Sequence, residues 1–261
     1  MRMSMPDHPG IVSIIMPAYN SERTIEAAVM SVIEQTCKNW ELIIVDDASG
    51  DDTPDICRRL AAQDERILII TNSSNLGRVE SRRLAANASH GDLIAFLDSD
   101  DMWTPDKLSK QLALRNDTGC DLVYTGSSFI DEKGRPYEWI MHVPERIEYR
   151  QLLRQNIISN SSVLVKKDLF LRFAPDSEDK HDMHEDFACW LGMLRAGINA
   201  RGIDEPLITY RLSKSSMSGN KFKAYSMNMN TYKYVGLGFF SRLYYQMCYS
   251  VNGINKYRHL R

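Results

Sequence analysis

The chain predicts an α/β domain, doubly wound around a mostly parallel central sheet with helices on both faces. Three observations carry that prediction: four short apolar runs alternate with helix-periodic segments, the connections between them are short, and two of the runs end in clusters of aspartate. Strand, helix and strand in that order make parallel neighbours joined by a right-handed crossover.

Ile11-Val12-Ser13-Ile14-Ile15-Met16 reads as the first strand. It is expected to leave the sheet at Pro17-Ala18-Tyr19-Asn20, because a proline has no N–H for the next ladder bond. Ser21 to Thr24 opens a helix with Ile25, Ala28, Val29, Val32 and Ile33 at helical spacing. After a turn at Lys38-Asn39, Glu41-Leu42-Ile43-Ile44-Val45 forms the second strand and ends at Asp46-Asp47-Ala48-Ser49-Gly50-Asp51. Asp55 to Gln63 gives the next helix and Arg66 to Ile70 the third strand. Asn75-Leu76-Gly77 punctuates the chain before a helix over Ser81 to Ala88. Gly91 precedes the fourth strand, Leu93 to Leu97, which runs into Asp98-Ser99-Asp100-Asp101. Farther on, Asn156 to Lys166 is expected to add a strand through Val163-Leu164-Val165.

Acidic side chains at the carboxyl end of a buried strand project into the crevice where open α/β sheets bind ligands. The oxygens of Asp98, Asp100 and Asp101 suit a hard divalent cation, Mn²⁺ or Mg²⁺, that can neutralise a diphosphate. The same stretch also makes an ordinary strand end before a helix, with Thr104 as cap, Pro105 in the first helical position and Asp106 in the first turn. The two readings are compatible. The carboxyl ends of the first, second and fourth strands can all face one crevice. No Gly-x-Gly-x-x-Gly follows the first strand and no Gly-Lys-Ser/Thr phosphate loop occurs, which disfavours dinucleotide oxidoreductases and P-loop NTPases.

Six marks follow one another between about residues 11 and 219: Pro17-Ala18-Tyr19-Asn20; Val45 to Thr53; Asn75-Leu76-Gly77 with Ser81-Arg82; Phe96 to Asp101 with Pro105 and Lys107-Leu108; His184-Glu185-Asp186 with Trp190; and Tyr210-Arg211. In that order they resemble bacterial glycosyltransferase family 2, whose fold is the GT-A nucleotide-sugar-binding fold. The resemblance implies an inverting transfer of a hexosyl or N-acetylhexosaminyl group from a nucleotide-diphosphate sugar, a UDP-sugar foremost. The acceptor would be a hydroxyl of a glycan or polyprenyl-linked acceptor in surface polysaccharide or lipopolysaccharide synthesis. It places Pro17, Ala18, Tyr19, Asn20, Asp46, Asp47, Gly77, Arg82, Asp98 and Ser99 around the nucleotide sugar. Tyr19 would pack on the base, Asp47 would accept from a base N–H, and Arg82 would meet the diphosphate. Asp98 and Asp100 match the Asp-x-Asp motif, with Asp100 or Asp101 as the direct ligand of Mn²⁺ or Mg²⁺. Asp186 would be the general base, supported by Glu185, with Trp190 and His184 near the acceptor. Arg83 departs from the family, which usually has Asn there.

Without the resemblance several residues have plainer readings. Arg82 could be an exposed helix arginine, and Glu185-Asp186 an acidic helix start that favours the macrodipole. Trp190, Leu191, Met193, Leu194 and Ile198 have helical spacing and read as core, although Trp190 lies one turn beyond Asp186 and could also face an acceptor.

With 261 residues, 43% of them hydrophobic, the chain can bury a sizeable core. A formal net charge of −2 gives no reason to expect nucleic acid as a partner. The cysteines Cys37, Cys57, Cys120, Cys189 and Cys248 form no Cys-x-x-Cys pair and read as reduced thiols of a cytoplasmic protein. Met1 to Gly10 holds no apolar stretch of signal-peptide length, and no run of eighteen apolar residues appears. After Glu205 there are nine lysines and arginines and no carboxylate, interleaved with aromatics from Phe222 to Tyr257. That basic, aromatic extension is expected to be helical, resting peripherally on an anionic inner leaflet or packing on the catalytic body or a second subunit. The expected organisation is a catalytic unit over 1–219, with 11–103 as nucleotide-sugar half and 104–219 as acceptor half, followed by the extension 220–261. The competing functions are nucleotidyl transfer to a sugar phosphate, and a sugar-nucleotide or glycan-binding module without turnover.

Overall fold

The structure is a computed structural model, and it describes residues 10–176, 182–212 and 221–258. Eight strands form one sheet in the order β3-β2-β1-β4-β7-β6-β8-β5. The first three, β1 (Val12–Ala18), β2 (Trp40–Asp46) and β3 (Ile67–Thr71), run parallel with β4 (Leu93–Phe96), as their apolar runs require. A strand covered on both faces has no polar side to show, and every residue of β2 is buried.

Beyond β4 the sheet becomes mixed. β7 (Leu164–Lys166) lies antiparallel between β4 and β6 (Leu122–Ile130), β8 (Ala200–Arg211) runs parallel to β6, and β5 (Met102–Trp103) closes the edge antiparallel to β8. The parallel expectation therefore describes the first half and gives way to a mixed sheet in the second.

Side chains alternate between two apolar layers, as a period of two dictates. Ile14, Met16, Leu42 and Ile44 face α1 (Ile25–Ile33), α2 (Thr53–Ala61) and α4 (Lys107–Thr118). Ile15, Ile43, Val45 and Phe96 face α3 (Arg78–Ala88), α5 (Tyr149–Arg154), α6 (Lys167–Phe173) and α7 (Glu185–Arg195). Phe96 sits with its ring centroid 4.8 Å from Phe170 and 5.8 Å from Trp190, so truncating it to Ala would cost about 3–5 kcal/mol.

Two local expectations are corrected. β1 continues through Pro17 to Ala18, opposite Val45 and Asp46, because its pairing with β4 has already ended at Ile15 and a proline is tolerated where the ladder is one-sided. The helix after the acidic cluster starts at Lys107 with Asp106 at its cap position, while Thr104 Oγ1 donates to Asp106 Oδ1 instead of capping.

The extension is two helices, α8 (Lys221–Tyr234) and α9 (Phe239–Arg258), and the boundary expected at 219/220 lies outside the described residues. Its inner face packs on the catalytic body: Tyr232 donates to the Leu153 carbonyl, and the rings of Tyr232 and Tyr249 each sit 6.1 Å from that of Phe187. Its outer face exposes Phe240, Leu243, Tyr244, Met247 and Val251 along one stripe of α9. No described helix is long and apolar enough to cross a membrane.

Candidate active site

Three strand-end loops meet at the carboxyl edge of the parallel strands and lock one another. Asn20 and Ala48 adopt left-handed φ of 49° and 60°, a conformation uncommon for residues with a Cβ. Cross-bonds hold them there: Asn20 N–H donates to Ser49 Oγ, Gly50 N–H to Asn20 Oδ1, and Ser49 N–H to Asp46 Oδ1. The third loop joins through Ser21 and Ser99, whose hydroxyls share a hydrogen bond of 2.7 Å. Asp47 organises the next turn, since its two oxygens accept from Asn72 Nδ2 and from the N–H groups of Leu76 and Gly77. Gly77 takes φ 85°, which a glycine tolerates, and delivers the chain into α3.

From α3 two arginines reach across to α7. Arg82 is buried; its guanidinium donates to Glu185 Oε1 at 2.7 Å and to Asp98 Oδ1 at 2.6 Å. Arg78 adds a second clasp on Glu185. Burial pushes the Glu185 carboxyl up, but the two guanidiniums outweigh it and hold its pKa down at about 2. Asp186 moves the other way. Burial, and then the charge of Glu185, raise it above the ordinary aspartate range, which makes it the better proton acceptor of the pair.

These groups surround a cavity of about 410 Å³ lined by Pro17, Ala18, Tyr19, Asp47, Arg82, Asp98, Ser99, Asp100, His184, Glu185 and Asp186, among others. A second cavity of about 190 Å³ adjoins it, and Asp98, Asn160, His184, Asp186 and Tyr210 belong to both walls. Burial and then the carboxylates of Asp101, Asp100 and Asp98 push the Tyr210 phenol well up, so it stays a hydrogen-bond donor there.

Several expected residues lie elsewhere. Asn20, Asp46 and Gly77 brace the loops and line neither cavity. Asp101, expected among the metal ligands, is buried, its oxygens accept from Ser161 Oγ at 2.6 Å and Arg211 N–H at 3.0 Å, and it lines neither cavity. Trp190 is corrected as an acceptor contact, being packed edge-on against Phe96 in the core. Arg82 is neither exposed nor free, so its charge reaches a diphosphate only past Asp98 and Glu185. Arg78 and Asn160 went unread. Arg78 looks like any helix-start arginine, and Asn160 matters only because its Nδ2 donates to Asp98 Oδ1 across the fold.

No group of three or more His, Cys, Asp or Glu among the described residues is placed to hold a metal ion. Two carboxylates do line the larger cavity. Asp98 has one oxygen committed to Arg82 and Asn160, while Asp100 takes no side-chain hydrogen bond among the described residues. Burial and then Asp98 push Asp100 up to about 6, the mark of a carboxylate short of positive charge. Such a pair fits an ion that takes one or two carboxylates and fills its remaining positions with substrate phosphates and water.

Residues 13–178 match the sequence profile of Glycosyl transferase family 2. The chain belongs to that family. It is 35% identical over 248 residues to TuaG, a glycosyltransferase assigned to teichuronic acid biosynthesis in Bacillus subtilis, covering 94% of this chain and 97% of that one. It is also 35% identical over 247 residues, 95% of each chain, to WfaP of Escherichia coli, named a UDP-Glc:α-D-GlcNAc-diphosphoundecaprenol β-1,3-glucosyltransferase. Among solved structures, S. aureus TarS with UDP superposes with TM-score 0.66 at 18% identity, covering 89% of this chain and 68% of that one. The mannosyltransferase PcManGT from Pyrobaculum calidifontis, with GDP-Man and Mn²⁺, gives 0.68 at 18%, covering 89% and 66%. This chain is thus a glycosyltransferase with the GT-A-like fold.

Proposed function

We propose that the larger cavity holds a UDP-hexose or UDP-N-acetylhexosamine, and that Asp186 activates the hydroxyl of a glycan or lipid-linked acceptor entering from the smaller one. The observation that carries this reading is the position of Asp186 on the wall common to both cavities, beside a Glu185 held ionised. A donor on one side and a hydroxyl on the other give a single displacement with inversion. Asp186 takes the hydroxyl proton, the acceptor oxygen bonds the anomeric carbon, and the bond to the diphosphate oxygen breaks.

The remaining roles follow from placement. Tyr19, half exposed at the cavity mouth, offers a face for the base. Asp47 keeps about one acceptor position beyond its three bonds, enough for one base N–H. Arg78, with 37% of its side chain exposed, is the guanidinium most able to turn from Glu185 to a diphosphate. Asp98 and Asp100 would hold Mn²⁺ or Mg²⁺, which supplies positive charge for the departing UDP. Residues 11–103 would then supply most of the donor wall and 104–219 most of the acceptor wall. A UDP donor and a diphosphoundecaprenol-linked acceptor are supported by the activity for which WfaP is named. The basic extension with its exposed aromatic stripe supports peripheral placement at the inner face of the cytoplasmic membrane.

Calorimetric titration with UDP tests the donor site. Binding is expected with Mn²⁺ and should weaken strongly in EDTA. Equal affinities in both would remove the metal from the mechanism, and no binding in either would remove UDP.

A further inference from the structure

We propose that the smaller cavity is the subsite for a single acceptor sugar ring, and that the Ser127 hydroxyl is its buried anchor; this rests on reading the larger cavity as the donor site. The pairing of β6 with β8 is irregular on both sides of Gly126, where extra residues of β8 bulge out of register. Bulges of this kind re-aim side chains beside functional sites. A Cβ on Gly126 would stand 2.8 Å from the Glu205 carbonyl oxygen and 2.9 Å from that of Met141, so only glycine lets the three backbones come so close.

Ser127 follows. Its backbone is satisfied in both directions by Met141, with N···O distances of 3.1 and 2.8 Å. Its side chain is fully buried, lines the cavity, and its Oγ has no hydrogen-bond partner among the described residues. Of the buried side-chain polar atoms without a partner among the described residues, Ser127 Oγ is the one on the wall of this cavity, where a ligand can supply the partner that buried polar groups require.

The rest of the wall says what kind of partner. Phe129, Met141 and Tyr249 present apolar surface, Asn160 is polar, and Asp186 stands at the junction with the donor site. With Asn156, Ser159 and His184 also on the wall, apolar faces are mixed with hydrogen-bonding groups, as a sugar with C–H faces and hydroxyl edges requires. About 190 Å³ is below the usual range for drug-sized ligands and suits one ring rather than an oligosaccharide. The fitting ligand is a pyranose that turns one hydroxyl to Asp186 and a second polar substituent to Ser127. Because Tyr249 belongs to α9, the terminal helix forms part of this subsite.

The test uses the full chain loaded with UDP and Mn²⁺, titrated with the methyl glycosides of glucose, galactose, mannose and N-acetylglucosamine. At least one should bind, and Ser127→Ala should weaken that binding roughly three- to tenfold, the range of a neutral hydrogen bond. UDP affinity should not change, and the Tm of Ser127→Ala should hold or rise, since an unpaired buried hydroxyl destabilises the empty protein. The assignment fails if none of the glycosides binds. It also fails if the bound one holds equally to Ser127→Ala, as it would were Oγ only a water ligand, or if the Tm falls by several degrees, which would reveal a structural partner. UDP titration of the unaltered chain does not involve Ser127, which lines the smaller cavity alone, so failure of the donor reading shows separately.

Discussion

The two walls of the site are built on opposite plans. Around the larger cavity most polar groups are committed to one another: Asp47 accepts three bonds, Arg82 spans two carboxylates, and the left-handed Asn20 and Ala48 behind the wall are pinned by cross-bonds, with Asp100 the exception. Around the smaller cavity an irregular strand leaves the Ser127 hydroxyl without a partner among the described residues, on a wall that mixes apolar and polar side chains. The difference teaches that a nucleotide common to many transfers can be met by a rigid, prebuilt cradle. A particular acceptor is met by surface that is left unsatisfied until it arrives.

The largest expected effect lies where the walls join. Asp186→Asn should lower kcat by about 10²–10⁴-fold while leaving UDP affinity intact, because a base acting on the acceptor hydroxyl contacts the donor little. Donor affinity falling in step with rate would move Asp186 to the donor wall and break the comparison.

Glu185→Gln comes next. It leaves Arg78 and Arg82 facing each other without their carboxylate and should cost about 3 kcal/mol of stability at neutral pH, the low end for a broken buried pair, since Arg82 keeps Asp98. The sign with pH is fixed by the depressed folded pKa of about 2: the contribution of Glu185 is present above the unfolded value of about 4.3 and is lost as pH falls toward 2. Tm against pH should show that acid loss in the unaltered chain and not in Glu185→Gln. The substitution also removes a charge that raises Asp186, so the acid limb of kcat/KM should move to lower pH. An unmoved limb would mean that the rigid side does not tune the base.

The smallest effect concerns the outer face of α9. Co-sedimentation with anionic vesicles is expected at low salt and should weaken as the Debye length shrinks from about 10 Å at 0.1 M to 3 Å at 1 M. Phe240→Ser, at a residue 85% exposed, should lower vesicle affinity by about tenfold, the worth of one partly inserted ring. A chain that ignores anionic vesicles at low salt would leave the stripe as a protein-contact surface.

The same asymmetry decides what could be read in the sequence. Strands β1 to β4 were legible because each is a continuous apolar run, fully buried in β2 and β4 and only partly in the edge strand β3, and the loops after them because their chemistry sits within a few consecutive residues. Val163-Leu164-Val165 announced β7, but the short β5 and the mixed pairing of β6 and β8 have no periodic signature. Asp101 could not be told from its neighbours because adjacent carboxylates in a turn diverge, and only the fold shows one of them turned to Ser161 and Arg211. Trp190 carries the same helical spacing whether it faces core or crevice. Ser127 is an ordinary strand serine until the bulge beside it is seen. The tail looked equally suited to lipid and to protein because α9 is apolar on two faces, with Tyr245 and Tyr249 packed inward and Phe240 and Met247 outward.

The shared wall also sets an order in time. Tyr210, the last residue in sequence on the wall of the larger cavity, precedes Tyr249 of the smaller one by 39 residues, so at about 5–20 residues per second of synthesis the larger cavity has all its parts roughly 2–8 s before the helix that closes the smaller one. Through that interval the growing chain has every residue of the larger cavity and lacks the helix that finishes the smaller one. The smaller cavity is thus the last part of the site that this polypeptide completes.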